Sequence, residues 1–187
     1  MARTPANYKD EVHRIVQQKK QAIPTAFSAP AVTAILATLE DTVLYLQALA
    51  RKFDDKSARL PIVAGKRSFR ETLIHLLNFE ALHYHTAYMA LLLREPKVYP
   101  IHAERDIARL KLFAGFTVDE LVQSFCLERK KYLSFLRALQ QPDWARSIEE
   151  AGKARHENIY LMARRTAIHD YTHIQILIFQ TGFTGTA

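Results

Sequence analysis

The chain has one cysteine and five glycines among its 187 residues. Cys126 alone cannot form an internal disulfide, so the fold must rest on its packed core rather than on cross-links. No charged-then-apolar leader opens the sequence, and a reducing cytoplasmic setting is the expectation. So few glycines leave little for loops that cradle phosphates, and neither G-x-G-x-x-G nor G-x-x-x-x-G-K-[ST] occurs. Dinucleotide and P-loop chemistry are excluded on that ground. Long apolar runs are also missing: the longest unbroken one, Ala87 to Leu93, falls far short of the roughly 20 residues of a membrane helix, so no membrane association is expected. Acidic residues are the scarcer charge, 19 against 26 Lys and Arg, for a net +7. The excess cations scatter along the whole chain among acids, a distribution unlike a nucleic-acid-binding face.

What remains, 49% hydrophobic and 24% charged, suits one globular domain with a sizeable core. Val12, Ile15 and Val16 stand among charges and predict a short amphipathic helix that stops near Pro24, within an N-terminal extension over residues 1–28. Val32, Ile35, Leu36, Leu39, Val43, Leu46 and Leu49 recur at steps of three and four, predicting a long helix from Ala29 to about Phe53. After a loop holding Pro61 and Gly65, Ser68 and Glu71 match a capping box, and the helix they open runs to about Arg94. Pro96 and Pro100 break the chain, and a short helical piece follows around Ala103 to Phe113. Thr117 then caps a third long helix carrying Leu121, Phe125, Tyr132 and Leu136. Residues 141–157, with Pro142, Trp144 and Gly152, have no period, and Asn158 to Phe179 form a fourth long helix before a flexible tail over 181–187. No strand is called for. The expected class is all-α: a four-helix bundle over 29–180 with a long crossover and an extra short N-terminal helix.

The chemistry concentrates in the eight histidines. His169 and His173 stand four apart in the last helix, turned by only about 40° and separated by roughly 6 Å along the axis, so both imidazoles can reach one metal ion. The bland alternative is two histidines on a bundle face. Asp170 occupies the place where a zinc protease of the H-E-x-x-H type carries its longer glutamate, which disfavours a peptidase. A second cluster lies on the helix from Ser68: Glu71, His75 and Asn78 share a face, whereas Glu80 is turned about 140° from His75. An antiparallel arrangement of the two helices would bring His75 to the height of the His169–His173 pair, and a parallel one would bring His83. Periodicity alone leaves that choice open.

Ser68-Phe-Arg-Glu-Thr-Leu-Ile-His75-Leu-Leu-Asn-Phe-Glu80 and His169-Asp170-Tyr171-Thr172-His173, with Trp144 in the crossover between them, resemble the DinB-like (DinB/YfiT-like) metal-dependent four-helix family over residues 29–180. The resemblance implies antiparallel second and fourth helices and His75, His169 and His173 as ligands of a divalent metal, with zinc, nickel, iron or manganese all compatible with three imidazoles. It also implies an enzyme of the transferase or isomerase type that activates a small thiol, such as a low-molecular-weight thiol cosubstrate. The open position that three imidazoles leave could also activate a water, and the alternative reading is a non-catalytic helical protein that binds a metal or small ligand. A homodimer is a further implication. One departure is visible: Ile176 stands where the family often has glutamine. Asp170 and Glu80 are candidates to hold an imidazole N–H, with a solvated or ion-paired carboxylate as the alternative for each. His13, His83, His85, His102 and His156 read as ordinary helix-face or loop histidines, and Cys126, beside an apolar stripe, as an inert thiol.

Overall fold

A computed structural model describes residues 8–94, 96–99, 101–102, 106–152 and 157–184. Five helices dominate it: α1 (Tyr8–Ala22), α2 (Ala29–Ala50), α3 (Phe69–Leu92), α4 (Val118–Ala138) and α5 (Ile159–Thr181). The caps form as the sequence predicts. Ser68 and Glu71 exchange hydrogen bonds at the start of α3, with Ser68 N–H donating to Glu71 Oε2 at 2.8 Å and Glu71 N–H to Ser68 Oγ at 3.1 Å. Thr117 and Glu120 make the same reciprocal pair at α4. Asn158 caps α5 through Leu161 N–H, and Gly182 closes it at φ 61°, a left-handed conformation that favours glycine. The start of the expected N-terminal helix, the 103–105 part of the short helical piece, His156 and the end of the tail lie outside the described residues. From Ala108 to Leu110 the chain makes a short 3-10 turn.

Side-chain pairings set the topology. Glu80 and Tyr84 of α3 meet Arg129 and Tyr132 of α4, so these neighbours run parallel. Gln47 and Leu39 of α2 meet Cys126 and Arg129 of α4 in reverse order, an antiparallel pair. His75 meets His173 and His83 meets Thr166, which makes α3 and α5 antiparallel. Consecutive helices α2 and α3 are therefore not packed hairpin partners: the α2–α3 and α4–α5 connections cross an end of the bundle, and the connection between the parallel α3 and α4 returns along its length. α1 lies along α5, burying Val12 and Val16 in the same core as Ile35, Leu39 and Tyr132.

The all-α bundle is as expected, and only the expectation of no strand needs correction. β1 (Lys97–Val98), β2 (Ser147–Glu150) and β3 (Glu157–Asn158) form a three-stranded sheet in the order β1-β2-β3, parallel between the first two and antiparallel between the last two. Strands of two to four residues are too short to print a period, and only Ile148 of β2 is buried. The sheet ties the segment after α3 to the one before α5. Arg146, at its edge, donates to the Ala90, Leu91 and Leu93 carbonyls and so closes the end of α3. α2 is long and apolar enough to cross a bilayer by length and composition, which the count of unbroken apolar runs missed. In this fold it is a core helix, with Ile35, Leu39, Leu46 and Leu49 fully buried.

Two apolar clusters fill the bundle, one around Leu39, Tyr132 and Ala163 and one around Leu49, Leu73, Phe125 and Ile174. Between them runs a polar layer.

Candidate metal centre

The polar layer is built on Arg129, an arginine in the middle of the α4 stripe that otherwise reads Leu121, Phe125, Tyr132 and Leu136. Arg129, Glu80 and Asp170 all have 0% exposure. The guanidinium donates through Nε and Nη2 to the two Glu80 oxygens, both at 2.6 Å, through Nη1 to the Leu39 carbonyl at 2.8 Å, and through Nη2 also to Asp170 Oδ2. Such a buried charge requires this degree of pairing, because isolated it would cost several kcal/mol of lost hydration, about what breaking a buried ion pair costs. Burial works against the Arg129 charge, but the two carboxylates outweigh it and hold the guanidinium above its ordinary range.

Asp170 passes the arrangement on to the histidines. Its Oδ1 lies 2.7 Å from His169 Nδ1, so Nδ1 of the neutral ring carries the proton and Nε2 is left as the free lone pair. Burial pushes the Asp170 carboxyl up, yet the His169 hydrogen bond and the Arg129 charge more than offset it and leave it below the usual carboxylate range. Glu80 goes the other way: burial raises it against the pull of Arg129. Glu80 therefore does not hold an imidazole, as one sequence reading had it, but serves as the bidentate partner of Arg129. Its 140° turn from His75 sends it to α4 instead of towards α5.

The three Nε2 atoms converge. His75 Nε2 is 2.8 Å from His169 Nε2 and 3.1 Å from His173 Nε2, and one ring nitrogen of each lies within 4.8 Å of the others. The antiparallel run of α3 against α5 makes His75, and not His83, the histidine at this height. His83 is buried with its Nδ1 2.8 Å from Thr166 Oγ1, about two turns further along α3. Phe79 fixes the His169 ring from the side, stacked nearly parallel at 3.6 Å between centroids. Burial, reinforced by the neighbouring His169, depresses His75 to about 4, and burial with the other two rings depresses His173 to about 3. Both are therefore neutral at pH 7, the form in which imidazole binds a metal. Metal–nitrogen bonds of about 2.0–2.1 Å place tetrahedral donors about 3.3 Å apart, so the observed trio is already gathered to that scale.

Two cavities open on the cluster. His75 and Asn78 line one of about 440 Å³, and His173 lines another of about 720 Å³ between α1, α5 and the turn before α3. Of the remaining histidines, His13 lies on the wall of the larger cavity, His85 is exposed, and His102 donates its backbone N–H to Asp106. Cys126 is half-buried between α2 and α4, where burial raises its thiol and Gln47 donates to the sulfur at 3.4 Å, in keeping with an unreactive group.

Sequence reasoning missed Arg129. Its signal was present, since a charged residue four positions after Phe125 and three before Tyr132 sits where the stripe calls for an apolar side chain.

No protein-family model matches the chain, and no curated protein matches it. Among solved structures, YfiT from Bacillus subtilis superposes with a TM-score of 0.74 at 15% identity, over 86% of this chain and 93% of that one. The chain has the YfiT fold. That protein is described as a probable metal-dependent hydrolase with an unusual four-helix bundle topology. The parallel α3–α4 neighbours and the crossing connections are this chain's form of the fold.

Proposed function

We propose that the protein is a divalent-metal-dependent enzyme acting on small molecules, with His75, His169 and His173 as the ligands. The observation that carries the reading is the convergence of three Nε2 atoms, one of them with its tautomer set by a carboxylate on the other ring nitrogen. Asp170, held in its charged form, also places a carboxylate beside the cluster, which favours a bound cation. Three protein ligands leave a position open, and the two adjoining cavities let a small molecule reach it, as a structural ion site would not require. The description of YfiT as a metal-dependent hydrolase supports the coarse class, and the motif resemblance supports a small thiol as the activated group, with water as the hydrolytic counterpart.

A metal held there would lower the pKa of a thiol or water bound beside it. The protein's own part is positional. His75 comes from α3 and His169 with His173 from α5, so the antiparallel contact of two rigid helices assembles the donor set. Asp170 keeps the His169 proton on Nδ1, Arg129 keeps Asp170 ionised, and Phe79 prevents the ring from turning.

Full-length protein without a histidine tag, stripped by chelator and dialysed against zinc, should take up one equivalent. His173→Ala should retain less than about a tenth of that affinity, the scale expected when a coordinating shell is broken. Wild type that takes up no stoichiometric zinc, cobalt, nickel or manganese would overturn the proposal.

A further inference from the structure

The larger cavity has a composition of its own. One wall is α1, whose residues Lys9, Val12, Val16 and Lys20 face it at helical spacing. Lys66 and Arg67 form the rim opposite, placed there by a turn in which Gly65 takes φ 71° and Lys66 N–H donates to Val63 O at 3.0 Å. α1 sorts its charges: Asp10 and Glu11 lie outside the cavity, with Glu11 paired to Arg14 at the surface. Among the described residues that line the cavity, none is acidic. Low-dielectric walls concentrate such a one-signed field on whatever enters. The floor is apolar, with Ile168 and Ile176 beside His173. Arg67 also borders the smaller cavity, and its charge bears on both His75 and His173. The volume, about 720 Å³, lies in the range of small-molecule sites.

We infer that this cavity takes an organic anion, a phosphate or carboxylate with a short apolar body, its charge held by Lys9, Lys20, Lys66 and Arg67 and its body on the Val12, Val16 and Ile176 surface, one end presented to His173. This rests on the metal-site reading for which end reacts, and not for the binding itself. α1 is thereby a wall of the substrate chamber.

The test uses metal-free full-length protein and three probes of one size: phenyl phosphate, benzoate and benzyl alcohol. At least one anion should bind with one site, about tenfold tighter than the alcohol, and lose affinity as salt is raised. The tighter of the two names the headgroup class. Lys9→Glu with Lys20→Glu should weaken anion binding by about tenfold or more without changing zinc uptake. If that charge reversal lowers the melting temperature, Lys9→Gln with Lys20→Gln carries the same comparison with a smaller loss. Equal binding of benzyl alcohol and the anions, or anion affinity untouched by the α1 substitutions, would overturn the inference. Zinc uptake by the wild type is measured alongside: anion binding without zinc uptake removes the metal reading and leaves the chamber, and zinc uptake without anion binding does the reverse.

Discussion

Asp170 touches both halves of the centre, one oxygen on His169 Nδ1 and the other on Arg129. Asp170→Asn preserves size and removes the charge that holds the proton on Nδ1. Zinc affinity, read by competition with a chromophoric chelator, should fall about 10–100-fold, the usual effect of removing the partner of a metal-binding histidine. Stability should fall as well, because Arg129 keeps its burial and loses one of two counter-charges. Unchanged zinc affinity would mean that Phe79 stacking alone orients His169. The histidine pair on α5 was legible in the sequence because i and i+4 share a face whatever the fold. Arg129 stood out only as a charge in an apolar stripe, and its partners Glu80 and Asp170 were not legible, because a helical period records where a residue points and nothing about what charge waits there.

At the scale of single elements, the caps were the most readable feature, since both partners of a capping box lie within four residues and need no tertiary contact. Ser68→Ala should cost about 1 kcal/mol, seen as a lower urea midpoint with the slope unchanged, and should leave zinc stoichiometry intact because His75 lies nearly two turns further on. A larger loss together with failed zinc uptake would show that the first turn of α3 also sets the height of His75. The short strands escaped notice for the opposite reason. Lys97 pairs with Glu149, partners brought together only once α3 and α5 have packed, and Ile148 pairs with Glu157 across strands too short to print a period.

For the whole molecule, the buried imidazoles tie stability to pH. His75 and His173 are held at about 4 and about 3, below their ordinary 6.5, so between those values and 6.5 the unfolded chain binds more protons than the folded one. Their contribution is complete above pH 6.5 and is lost as pH falls through that window, at a slope of at most about 1.4 kcal/mol per pH unit for each ring. Chemical denaturation of metal-free protein from pH 7 to 4 should show this decline, and His75→Gln with His173→Gln should flatten it. Zinc should raise the unfolding temperature near neutrality and lose that effect in acid, since it binds only the deprotonated rings. A decline of equal slope in the double variant would place its origin in the carboxylates instead.

The sequence by itself determined the long helices, their caps and the pairing of His169 with His173, because all of these follow from contacts within a turn or two. The tertiary structure decided which helix lies beside which, and hence that His75 rather than His83 joins the pair. It also decided that Glu80 turns to Arg129, and that α1 closes a basic chamber over His173. Those outcomes depend on the direction in which two distant segments run past each other, a quantity that no local period encodes.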